Sequence, residues 1–191
     1  MVFEYLTILI SVVIGLALTH LLTNLIRIIH NRDRVKPYWV HLLWSATIVL
    51  WTISFWWFTF SMSTVREWTL GLFAFVMVYA VLLYVLMALL FPEDIEENQN
   101  YEQLYFQNQK WFFTTLTLFL VLDLFDFWIR LQTGLDIVTV GPYAFFIGPL
   151  ILLSGIAIFS KSRLFHAFFA VQAIVWVAVF MVITLPVLSS G

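Results

Sequence analysis

Residues 68–91 read WTLGLFAFVMVYAVLLYVLMALLF, a run with one acidic neighbour before it, no charged side chain within it, and Pro92 at its close. A helix over these positions would be about 36 Å long at 1.5 Å per residue, and about 20 consecutive apolar residues suffice to cross the hydrocarbon core of a bilayer. Lipid is therefore the solvent that suits this stretch. The pattern recurs on both sides of it. Residues 5–26 and 38–61 precede it as candidate spans, and residues 111–131, 141–159 and 165–188 follow it. The expected fold class is an all-α integral membrane protein, a bundle of about six transmembrane helices in a single transmembrane domain over residues 1–191.

Composition supports this reading and excludes others. The 191 residues are 63% hydrophobic and 10% charged, with a mean hydropathy of +0.99, whereas a soluble domain is about a quarter charged. Connectors this short leave no room for a sizeable soluble domain. The first apolar run carries Glu4 in place of a basic leader and lacks a small-residue cleavage pattern, so it is expected to be retained as a helix. The chain has no cysteine, which removes disulfides, thiolate metal sites and cysteine nucleophiles together. A Walker loop, a dinucleotide fingerprint, a potassium-filter motif, a nucleophile elbow and an arginine ladder are all absent from the sequence. ATP-driven and voltage-driven mechanisms therefore find no support.

The charges are sorted by position. The connectors after the first, third and fifth spans hold Arg27, Arg32, Arg34, Lys36, Lys110, Lys161 and Arg163, and the opposite side holds Arg66 and Arg130. Lysine and arginine mark the cytoplasmic side, so those three connectors are expected inside and both termini outside, in an inner (plasma) membrane. The longest polar segment, residues 92–110, is read as an acidic cytoplasmic loop carrying Glu93, Asp94, Glu96, Glu97 and Glu102. A weak parallel repeat of helical hairpins is also visible. His41, Trp44 and Trp51 match His166, Phe169 and Trp176 at identical spacing.

The residues most suited to chemistry lie in the fourth span. Asp123 and Asp126 are three apart and Arg130 is four further on, which places all three on one helical face. An acid at the centre of a span costs about 2.5–3.5 kcal/mol on insertion scales and by default marks an ion or proton path. A relay would use Asp123 as its midplane site, tuned by Asp126, with Arg130 at the outer mouth. Ser11, His20 and Thr52 are candidate companions lining a wet path, although hydroxyls of this kind also bond across helix contacts or to their own backbone. The structural alternative is an Asp126–Arg130 pair that staples the bundle.

Two further constellations stand beside this one. Gly141, Gly148 and Gly155 recur every seven residues in the fifth span, and Pro149 follows the second of them. This stripe suits close helix packing, and the proline suits a kink that could gate. His41 and His166 at matching depth suit a bis-histidine haem or another metal site, and equally suit wet positions near an interface. Haem or a metal is thus a conceivable cofactor, and no catalytic residue is assigned. The expected partners are the lipid bilayer, further copies of the chain and an unidentified protein, with nucleic acid not among them. Three function classes follow: a proton or cation channel or transporter, a non-enzymatic scaffold that binds lipid or a partner, and a membrane redox protein.

Overall fold

The computed structural model describes residues 2–65, 67–91, 100–133 and 140–184, with side chains described throughout except at positions 58, 60, 61, 64, 129–133, 140–145 and 184. It is helical: α1 (Val2–His30), α2 (Trp39–Ser61), α3 (Leu70–Leu90), α4 (Tyr101–Thr133), α5 (Val140–Phe159) and α6 (Arg163–Thr184), with one short 3-10 turn at Met62–Thr64. No strand occurs among the described residues, whose one β-bridge joins Lys36 and Asn100. Five helices, α1, α2, α3, α4 and α6, contain segments long and apolar enough to cross a membrane, and α5 contributes the shorter apolar segment Phe146–Phe159. The chain is an all-α, multi-pass membrane protein.

Local chemistry sets the helix limits. Thr69 caps α3, its hydroxyl accepting from the Leu72 amide at 3.2 Å, and Ser162 accepts from the Phe165 amide at 3.4 Å at the start of α6. Phe91 ends α3 in an extended conformation, φ −128° and ψ 130°, as the residue before a proline must when the ring of Pro92 excludes the helical region. The start of α4 departs from expectation. The polar segment 92–110 does not run as a connector to Lys110, because the helix begins at Tyr101. Asn100 supplies the cap, accepting from the Glu102 amide at 3.0 Å. Tyr101, Leu104, Tyr105 and Gln109 then recur at helical spacing on a buried face. Most of the acidic positions, Glu93, Asp94, Glu96 and Glu97, lie outside the described residues.

The chain divides into two compact units, Met1–Asn108 and Gln109–Gly191. In the first, α1 and α3 run parallel: Phe3 meets Trp68 at one end, and the His20 ring lies at Phe91 at the other. The side of α1 turned inward carries Leu6, Ile10, Ile14, Ala17, Leu21, Asn24 and Ile28, and α3 answers with Val76, Tyr79, Ala80, Leu83, Leu86, Met87 and Leu90. Both stripes follow the 3.6-residue period. Helix α2 runs antiparallel to α3, with His41 at the end of α3 and Phe55 stacked on Tyr79 at 5.0 Å. In the second unit α5 is antiparallel to both neighbours. Thr117 of α4 bonds Ser154 of α5 at 2.8 Å, and Phe146 of α5 meets Trp176 of α6 at 4.9 Å.

Outward faces are as apolar as the cores. Tyr5, Ile8, Val12 and Leu16 of α1 are exposed, as are Val171, Val175 and Val179 of α6, which is what a lipid solvent permits. Sizes at the α1 and α3 stripes should therefore matter more than hydrophobicity. Ala80 is fully buried and Ile8 is exposed. Ala80→Leu is expected to destabilise the fold by about 1–3 kcal/mol through overpacking, and Ile8→Ala to stay within about 0.5 kcal/mol. Helix content followed during SDS titration of the detergent-solubilised protein checks both.

Candidate functional site

A helix leaves its last carbonyls without backbone partners, and here two helix ends are completed by side chains from elsewhere in their unit. In the first unit the end of α3 receives donors from α2 and α4, and a histidine of α1 lies beside it. His41 Nε2 of α2 donates to the Leu90 carbonyl, Asn108 Nδ2 of α4 donates to the Leu89 carbonyl at 3.3 Å, and His20 Nε2 of α1 reaches the Phe91 carbonyl at 3.4 Å. A carbonyl only accepts, so the proton of His41 sits on Nε2 and its Nδ1 keeps a bare lone pair. Aromatic rings hold this imidazole in place, Phe91 edge-on at 4.6 Å and Tyr101 at 5.3 Å.

The second unit repeats the device on α5. Gln109 Nε2 donates to the Ala157 carbonyl at 2.7 Å and the Ser160 carbonyl at 2.6 Å, with Ile158 O also in range at 3.3 Å. His166 Nε2 of α6 donates to Ser160 O at 2.8 Å, beside the rings of Phe113 and Phe165. The spacing shared by His41 and His166 therefore corresponds to a shared role. The chain order differs, because the helix that His41 caps follows it and the helix that His166 caps precedes it. Both histidines are fully buried, not wet, and each spends Nε2 on a carbonyl within its own unit. Among the described residues no group of three His, Cys, Asp or Glu side chains is placed to hold a metal ion.

The carboxylates sit differently. On α4, Phe112, Phe113, Leu116, Phe119 and Leu120 form the buried side, and Val121, Leu124, Phe125 and Trp128 the exposed one. Asp123 and Asp126 are both half-buried and continue the inward side toward the end of the helix. Each interacts with a neighbouring group. Asp123 lies twelve residues past Trp111 and five before Trp128, both exposed, so it stands roughly 18 Å along the axis from the first indole. The side chain of Arg130 lies outside the described residues.

The hydroxyls turn to their own helices. Ser11 Oγ donates to Thr7 O at 2.7 Å, and Thr52 Oγ1 to Ile48 O at 2.8 Å; Thr7, Thr19, Ser45, Thr47, Ser54 and Thr59 make the same bond four residues back. Ser11, His20 and Thr52 belong to the first unit, and Asp123 and Asp126 to the second. At Gly148 and Gly155 an added Cβ would meet nothing within 4 Å, so neither glycine admits a close neighbour among the described residues. Pro149 lies inside α5, which continues through it; the surroundings of Gly141 lie outside the described residues. Sequence reading missed Asn108 and Gln109 as caps, although adjacent amides just before an apolar run were the available signal.

No protein-family model, curated protein or solved structure matches the chain. The caps are testable directly. Gln109→Leu removes the donor to Ala157 and Ile158, and is expected to cost about 1–3 kcal/mol for buried acceptors left unpaired. Thermal unfolding of the detergent-solubilised variant beside the wild type measures it.

Proposed function

We propose that this chain is a small multi-pass protein of the inner (plasma) membrane that moves protons or cations, with Asp123 and Asp126 in the path. The observation that carries the reading is the position of the pair, half-buried on the inward side of a membrane-spanning helix. Ionisable groups in spans face the interior or a wet cavity when they serve ion movement. Two carboxyls three residues apart share one helical face, so both can face the same moving ion. Asp123 is the exchanging site in this reading and Asp126 tunes it. Six short helices are few for alternating access in one chain, so the working unit is a homo-oligomer.

A second reading has its own support. His41, His166 and Thr52 each spend a bond on a backbone carbonyl, which suits a scaffold that binds lipid or a protein partner without chemistry. Flux separates the two. Proteoliposomes containing a pH-sensitive dye, with a K⁺ gradient clamped by valinomycin, are expected to show proton movement that Asp123→Asn abolishes. Flux equal to that of empty vesicles, from protein shown to be folded, would favour the scaffold.

Orientation is also open to measurement, since the native chain has no cysteine. Asp33 and Glu67 are both exposed. In intact cells Glu67→Cys is expected to react with an impermeant maleimide, and Asp33→Cys only after permeabilisation. The reverse pattern would place the termini inside.

A further inference from the structure

The connector between α1 and α2 gathers most of the positive charge of its unit onto exposed positions. Arg27, Arg32, Arg34 and Lys36 are all exposed, and Asp33 is the one acid among residues 27–39. The backbone that carries them is fixed. The Asn31 amide donates to the Arg27 carbonyl at 2.9 Å, and the Asn31 carbonyl accepts from the Arg34 and Val35 amides at 2.8 and 3.0 Å. Val35 is buried, and the Lys36 carbonyl accepts from the Tyr101 amide of α4 at 3.1 Å. The cations thus sit on one tight turn anchored to the end of α1 on one side and to the start of α4 on the other. Little ordering of the backbone remains to be done when an anion binds there.

Apolar surface leads up to the turn from both helices. Leu22, Ile26 and Ile29 recur at helical spacing on α1 and are more than half exposed, as is Trp39 at the first turn of α2. Both helices contain segments apolar enough to cross a membrane, and tryptophan at the end of a span favours the headgroup level. The turn therefore stands at the membrane surface, with an exposed apolar stripe running away from it and cations upon it. An amphiphile with an anionic head complements both parts, whereas a soluble phosphate would use the cations alone. A topology signal requires only that lysine and arginine be present in a connector. Their placement on a fixed turn at the end of an apolar stripe is a further feature.

We propose that the α1–α2 turn is a binding site for an anionic phospholipid of the surrounding bilayer, with its phosphodiester at Arg32 and Lys36 and its acyl chains along Leu22, Ile26 and Ile29. A guanidinium matches two phosphate oxygens at once, and an ammonium adds a compact charge. Arg27 and Arg34 add to the positive field at the same turn. The site rests on neither reading of function given above. It lies in the first unit and holds whether or not the carboxylates of the second unit carry ions.

The experiment is native mass spectrometry of the detergent-solubilised full chain, titrated with dioleoyl phosphatidylglycerol or dioleoyl phosphatidylcholine, which differ in head charge and not in acyl chains. The first phosphatidylglycerol is expected to bind about tenfold more tightly than the first phosphatidylcholine, since each cation near the surface favours an anionic lipid by about fivefold. Arg32→Gln with Lys36→Gln should remove most of that difference. Lys161→Gln with Arg163→Gln makes the same charge change at exposed positions of the second unit and should leave most of it. Far-ultraviolet circular dichroism establishes that each variant keeps its helices. Equal affinity of the wild type for the two lipids overturns the inference without any variant. Equal losses in the two double variants overturn it in favour of diffuse attraction by net charge. Displacement of phosphatidylglycerol at constant ionic strength by glycerol phosphate or by a glutamate-rich peptide also overturns it, in favour of a soluble anion or an acidic protein segment.

Discussion

A helix end, buried at α3 and partly buried at α5, is the constraint that the two units share. Its last carbonyls lose their hydration and gain no backbone partner, at a cost of several kcal/mol each when nothing replaces the water. At α3 the replacement comes from His41 and Asn108, and at α5 from Gln109 and His166. The end of a helix also carries about half a unit of negative charge. Imidazole and amide N–H groups match that charge, whereas an ionised carboxylate would oppose it. The chemistry of the helix terminus thus accounts for His41, His166, Asn108 and Gln109 in a chain that is otherwise so apolar.

The same caps specify which helices meet. Between lipid-facing helices there is little hydrophobic drive, because a lipid tail is as apolar as a leucine. Stripes such as Leu6–Ile10–Ile14 or Leu83–Leu86 can pack on many partners. A donor that must find a particular carbonyl cannot. His41 places the start of α2 at Leu90, and Gln109 places one turn of α4 at Ala157 and Ser160. The small residues then set how closely the packed faces approach, with Ala17 and Ala80 buried in the stripes of α1 and α3.

Helix number and order were legible because length and hydropathy are local quantities, and a run such as residues 68–91 needs no partner to declare itself. The beginning of α4 was not, since residues 101–110 read as polar until Tyr101, Leu104 and Tyr105 are seen to share a buried face. The histidines were visible as a matched pair, yet their role was hidden. A cap and a metal ligand use the same ring nitrogen, and only the position of a carbonyl distant in sequence tells them apart. Gly148 and Gly155 are a different case: the heptad is plain in the sequence, and a Cβ added at either position would meet nothing within 4 Å among the described residues. For Ser11 and Thr52 the back-bond to the preceding turn was among the readings that sequence allowed, and it is the one their hydroxyls adopt.

These distinctions set the two aspartates apart. The side chains that complete the ends of α3 and α5, among them His41, Asn108, Gln109 and His166, act as donors to backbone carbonyls. Asp123 and Asp126 can donate only when protonated and can only accept when ionised. Their hydrogen-bonding character therefore changes with a single proton, and the neighbouring groups must suit one state better than the other. A purely structural role at the inward face of α4 would be served as well by asparagine, which presents a donor and an acceptor together and carries no cost of charge. What asparagine cannot do is exchange a proton, and that difference is the physical reason to look to this pair for function.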